Sequence, residues 1–146
     1  MTTTFHHLGI VVKDANEVGK LYSEMLGLEF WNKGAIEDKE NGVLLLSLPT
    51  GETFIELVQP LRPDNRFGRF LKEKGEGLFH LCFYSDDFDK EVQHWKEKGY
   101  VVEEEMAHSF KDNPFRLVWL SPKSTHGVWI ELADIAAQSD HVKTIK

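Results

Sequence analysis

Two histidines and two glutamates recur at matching places in this chain. His7-Leu8 reappears as His80-Leu81 and Asp14 as Asp87, each 73 residues on, while Ile55-Glu56-Leu57 reappears as Ile130-Glu131-Leu132, 75 residues on. Successive side chains of a strand point to opposite faces, so with Leu8, Ile10 and Val12 turned to one side, His7, Gly9 and Val11 face the other. The same alternation turns Ile55 and Leu57, or Ile130 and Leu132, one way and Glu56 and Glu131 the other. Each carboxylate is therefore expected on the face that carries its own repeat's imidazole. Burying a carboxylate in a sheet is costly unless it is paired or bound to a cation. A divalent metal held by His7, Glu56, His80 and Glu131 resolves that cost. Two neutral imidazoles and two carboxylates suit Co, Zn, Ni, Mn or Fe(II), and four protein ligands leave up to two octahedral positions for a substrate. A lone strand histidine is more often a hydrogen-bonded structural residue, and a lone strand glutamate usually faces solvent. Recurrence in both halves selects the metal reading. His6 competes with His7, but alternation assigns it to the aliphatic, helix-facing side, and its counterpart is Phe79. His94, His108, His126 and His141 read as solvated or locally hydrogen-bonded.

The elements that must position these residues also repeat. Residues 5–12 read as a strand, and Asp14-Ala15-Asn16 opens a helix in which Val18, Leu21, Tyr22, Met25 and Leu26 recur at helical spacing before Gly27 ends it. Strands follow over 28–31, 43–48 and 53–58, the last two as a hairpin around Pro49-Thr50-Gly51. In the second half, a strand over 78–84 precedes a helix over 87–98 ended by Gly99, then strands over 101–105, 115–120 and 128–132, with a loop over 121–127. The order is β-α-β-β-β twice. Between the halves, residues 60–76 form a linker with a short helix over 66–74 closed by Gly75 and Gly77. The expected class is α+β, one domain over residues 1–146 with units at 5–59 and 77–134 and a tail at 135–146.

Composition narrows the function. The 146 residues are 41% apolar and 28% charged, as in soluble globular domains. A net charge of −7 without a basic cluster argues against nucleic acid and against an anionic membrane surface, leaving a small molecule or another protein as partner. The single cysteine, Cys82, rules out an intrachain disulfide framework, and the first residues lack the pattern of a signal peptide, so a cytoplasmic location is expected. No apolar run approaches the roughly 18 to 20 residues needed to span a bilayer. Phe54, Tyr84, Trp119 and Trp129 alternate with core positions, and those sharing the histidine face would line a cavity with aromatic surface.

The chain resembles the vicinal oxygen chelate (glyoxalase/bleomycin resistance/dioxygenase) superfamily over about residues 5–134, and within it the methylmalonyl-CoA epimerase branch. The resemblance rests on His7-Leu8-Gly9-Ile10-Val11-Val12-Lys13-Asp14, on Gly75-Glu76-Gly77-Leu78-Phe79-His80-Leu81, on residues 121–132 (Ser121-Pro122-Lys123-Ser124-Thr125-His126-Gly127-Val128-Trp129-Ile130-Glu131-Leu132), and on the stretch from Pro60-Leu61 to Phe70-Leu71. It implies two βαβββ units forming a curved mixed sheet around a metal-bearing cavity, with the ligands on His7, Glu56, His80 and Glu131, and a homodimer. It further implies loss of a proton beside a thioester or ketone carbonyl of an acyl-CoA or 2-oxo compound, the metal stabilising the enolate, and reprotonation on the other face. The acid/base role falls on Glu131 first and Glu56 second, since a carboxylate that loosens from the metal can take the proton and return it. Two features depart from the branch. Residues 43–48 carry no glutamate for a second base, and residues 108–116 bring Phe110 and Phe115 where the branch usually has a glycine-rich loop. Lys111, Arg116 and Lys123 read either as partners for a carboxylate or phosphate or as scattered surface charge. A glyoxalase I-type lyase, similar to lactoylglutathione lyase, shares the four ligands and is the alternative. A non-catalytic, resistance-type binding protein commonly lacks them.

Overall fold

In the computed structural model, which describes residues 3–31, 34–108 and 114–134, both repeated aspartates cap helices. Asp14 accepts a hydrogen bond from the Glu17 amide at 3.0 Å and starts α1 (Ala15–Leu26), and Asp87 accepts one from the Lys90 amide at 3.2 Å and starts α3 (Phe88–Glu97). Gly27 ends α1 with φ 68°, a left-handed conformation that a side chain would disfavour. The chain divides into two compact units, His7–Phe79 and Met1–His6 with His80–Lys146.

In the first unit, β1 (Thr3–Val11), β2 (Ile36–Asp38), β3 (Val43–Thr50) and β4 (Thr53–Pro60) run in the sheet order β2-β3-β4-β1. β1 is parallel to β4, whereas β3 is antiparallel to both of its neighbours. One face packs Val12, Leu46, Leu48 and Leu57 with Ile10, Ile55 and the α1 residues Val18 and Tyr22. The leucines are at most 1% exposed, and each contributes roughly 1.5–3 kcal/mol by leaving water. The strand expected over 28–31 does not form. Leu28 and Phe30 pack against the α1 core, and the Leu28 carbonyl accepts the Ser23 hydroxyl at 2.6 Å in place of a ladder bond. Ile36–Asp38 supplies the missing strand, so the β-α-β-β-β order is kept. β3 also runs two residues beyond its expected end, to Thr50 opposite Thr53, moving the hairpin turn to Gly51-Glu52. α2 (Arg66–Lys74) follows as expected, capped by Asn65 and ended by Gly75.

The second unit uses β5 (Gly77–Ser85), β6 (Val102–His108), β7 (Pro114–Leu120) and β8 (Trp129–Asp134) in the order β5-β8-β7-β6, with β5 parallel to β8 and the rest antiparallel. Phe88 and Val92 of α3 pack on Val118 and Leu132, joined by Phe83, Trp95 and Val102. The loop expected over 121–127 contains a helical turn, α4 (Pro122–Thr125), with proline in its first turn and His126 in the left-handed region at φ 61°. The Thr125 hydroxyl holds this turn by donating to the Val128 carbonyl. No helix among the described residues is long and apolar enough to cross a membrane. The tail over 135–146 and the loop residues 109–113 lie outside the described residues.

Candidate functional site

The first half of the site lies at the parallel junction of β1 and β4. His7 stands beside Phe54 in register and Gly9 beside Glu56. Because Ile55 and Leu57 go into the α1 core, Glu56 emerges on the other face, as alternation requires. Its Oε1 lies 3.6 Å from His7 Nε2, with the two side chains 16% and 7% exposed. Phe54 stacks on the imidazole, with ring centroids 4.6 Å apart and planes 23° apart, and Trp31 is 6.4 Å beyond Phe54.

The second half repeats this register. His80 stands beside Trp129, and Cys82 beside Glu131, where β5 runs parallel to β8. Glu131 Oε2 is 3.7 Å from His80 Nε2, and these side chains are 9% and 1% exposed. Trp119 meets the His80 ring edge-on at 5.2 Å and Trp129 at 6.0 Å. The aromatic surface expected beside the histidines is thus present in each half.

Two residues enter the polar face that alternation and repetition did not select. Cys82, fully buried, donates its S–H to Glu131 Oε1 at 3.2 Å. His6 does not turn simply toward the helices as expected. Both His6 and His7 are 5% exposed, and two successive buried positions mean that both faces of the strand are covered there. The His6 ring meets Tyr84 edge-on at 5.7 Å and has a nitrogen within 4.8 Å of Cys82 Sγ. Only the unusual pair of adjacent histidines in the sequence pointed to such enclosure.

The remaining candidates lie elsewhere. Arg116 turns to the helix face, where it stacks over Phe88 at 4.8 Å, donates to Asp89 at 2.7 Å and to Asp134 at 2.8 Å. These hydrogen bonds, to Asp89 first and Asp134 second, raise its pKa above the ordinary arginine value, and the Arg116 hydrogen bond holds the Asp89 carboxyl below the usual carboxylate range. A guanidinium so engaged is a tie between α3, β7 and β8. His94, His126 and Lys123 are exposed, consistent with their solvated reading. Lys111, Phe110 and His141 lie outside the described residues.

The geometry of each half matters chemically. At 3.6 and 3.7 Å the imidazole and carboxylate are too far apart for a good hydrogen bond. Two ligands bonded to one transition metal at about 2.0–2.2 Å lie roughly 3 to 3.5 Å apart, close to the observed spacing. The buried, oxygen- and nitrogen-rich donor set fits a divalent cation.

Residues 6–116 match the family model described as the glyoxalase/bleomycin resistance protein/dioxygenase superfamily. Human mitochondrial methylmalonyl-CoA epimerase is 30% identical over 129 residues, covering 87% of this chain and 71% of that protein. The ethylmalonyl-CoA/methylmalonyl-CoA epimerase of Cereibacter sphaeroides is 27% identical, covering 92% of this chain and 100% of its own length. Among solved structures, a methylmalonyl-CoA epimerase variant from Streptomyces coelicolor, in complex with 2-nitronate-propionyl-CoA, matches with a TM-score of 0.81 at 27% identity, covering 92% of this chain and 98% of that one. A likeness of that extent shows a common fold.

Proposed function

The chain belongs to the glyoxalase/bleomycin resistance/dioxygenase (vicinal oxygen chelate) superfamily, and from that membership we propose that it is a metal-dependent epimerase that removes the proton α to the thioester carbonyl of a small acyl-CoA. His7, Glu56, His80 and Glu131 hold one divalent ion between them. The observation that carries this reading is the twofold His–Glu pair: the same residue types, in the same strand register, at 3.6 and 3.7 Å. The epimerase relatives named above favour the acyl-CoA substrate over the 2-oxo compounds of glyoxalase-type lyases.

When bound, the ion acts as a Lewis acid on the substrate's oxygens and raises the acidity of the neighbouring C–H. The chain supplies the rest. A carboxylate oxygen, of Glu131 first and Glu56 second, accepts the α-proton to leave a planar enolate carbon, and reprotonation of that carbon on its other face completes the epimerisation. His7 and His80 orient the site, their rings fixed by Phe54 and Trp119. The same aromatic rings, with Trp129, give each half an apolar wall beside its imidazole. In the cell we expect a cytoplasmic homodimer.

Protein prepared with Co(II) or Zn(II) is expected to hold about one ion per chain and to exchange the α-proton of methylmalonyl-CoA for deuterium in deuterated water. Metal-loaded protein that leaves that proton in place would overturn the epimerase assignment and favour the glyoxalase-type reaction, which the same four donors serve. Protein that binds neither ion would overturn both.

A further inference from the structure

We propose that Cys82 is a positioning residue that orients Glu131 in the resting site as a one-oxygen ligand of the metal, leaving Oε2 as the oxygen that takes the α-proton once it loosens. The inference rests on the metal reading above and goes beyond it by naming the group that orients Glu131. Cys82 is 0% exposed, and its thiol has one proton to donate. Acceptors near it include Glu131 Oε1 at 3.2 Å and the Phe83 carbonyl at 3.6 Å. The carboxylate is both closer and charged, and a hydrogen bond to a charged acceptor is the stronger one. Engaging Oε1 selects one setting of the last torsion of Glu131, whose intrinsic preference is broad. The other oxygen, Oε2, is then the one aimed past His80 Nε2 at 3.7 Å.

The internal repeat provides the contrast. Cys82 is the in-register neighbour of Glu131, and the residue in that place beside Glu56 is Gly9. Glycine has no side chain, so the first half has no counterpart of the Cys82 thiol at that place. Glu131 is also the more enclosed carboxylate, 9% exposed against 16% for Glu56. Outer partners of this kind orient metal ligands, and losing one typically costs about 10- to 100-fold in metal affinity.

The test is a Co(II) titration followed by visible absorption, on the wild type, Cys82→Ala and Cys82→Ser. The expected result is about a 10-fold or larger loss of affinity in Cys82→Ala, with altered d–d bands as Glu131 turns. Cys82→Ser, whose hydroxyl donates from the same place, should restore affinity and the d–d spectrum. Thermal melts of the metal-free proteins separate this from a packing defect, which would lower stability without altering the bands. Wild-type affinity and spectrum in Cys82→Ala would overturn the clamp while leaving the metal reading intact. A sulfur-to-cobalt charge-transfer band in the wild type would overturn it too, by making Cys82 a ligand. A wild type that takes up no cobalt would remove the metal reading and the clamp together.

Discussion

His7 and Glu56 lie 3.6 Å apart and His80 and Glu131 3.7 Å, just beyond the roughly 3 to 3.5 Å between two ligands of one transition metal. His7→Ala is therefore expected to lose stoichiometric metal at micromolar protein, measured by dialysis and elemental analysis. Glu131→Gln should lower α-proton exchange by about 10²–10⁴-fold at saturating metal, the usual worth of a positioned general base. Glu56→Gln should cost less; a reversed order would move the base to Glu56. The two His–Glu pairs were legible in the sequence because each residue has a counterpart. His6 and Cys82 were not, for physical reasons. Alternation assumes that one face of a strand is enclosed, and β1 is buried at both His6 and His7. Repetition finds only what is shared, and Cys82 pairs with Gly9.

At the scale of elements, the two β-α-β-β-β runs were legible from aspartate caps, helical spacing and glycine stops. The miss at residues 28–31 has a plain cause: Leu28 and Phe30 alternate like a strand, but their apolar surface serves the α1 core and the Leu28 carbonyl is taken by Ser23. α4 escaped because four residues are too few for periodicity. Arg116 ties three elements together, and its effect is measurable through pH. Asp89 titrates below its ordinary 3.8 in the folded protein because Arg116 donates to it. A carboxyl with a depressed folded pKa stabilises the fold above its unfolded value and loses that contribution as pH falls through the folded one. Asp89→Asn should accordingly melt lower than wild type near neutral pH, with the gap closing below about pH 3.8 as the wild-type carboxyl protonates. Both partners are solvent-accessible, so the gap should be small and should shrink in high salt. A gap that persists at low pH would mean that Asp89 acts by packing rather than by charge.

For the whole molecule, a net charge of −7 without a basic cluster offers no broad basic surface to the acyl-CoA proposed as substrate, and Arg116 is already committed to Asp89 and Asp134. In the proposed reaction, recognition rests on the metal and the aromatic surfaces beside each histidine more than on a basic patch. The shared-ion proposal is testable by thermodynamics. An ion held by all four side chains binds only the folded chain, so it must stabilise it by RT ln(1 + [L]/Kd), about 2.7 kcal/mol at one hundred times Kd. Calorimetry should show the metal moving all of the unfolding heat to higher temperature in one cooperative transition, and a chelator moving it back. Two ions per chain, or a metal shift confined to part of the heat, would mean that each His–Glu pair binds its own cation, and the shared centre would have to be abandoned.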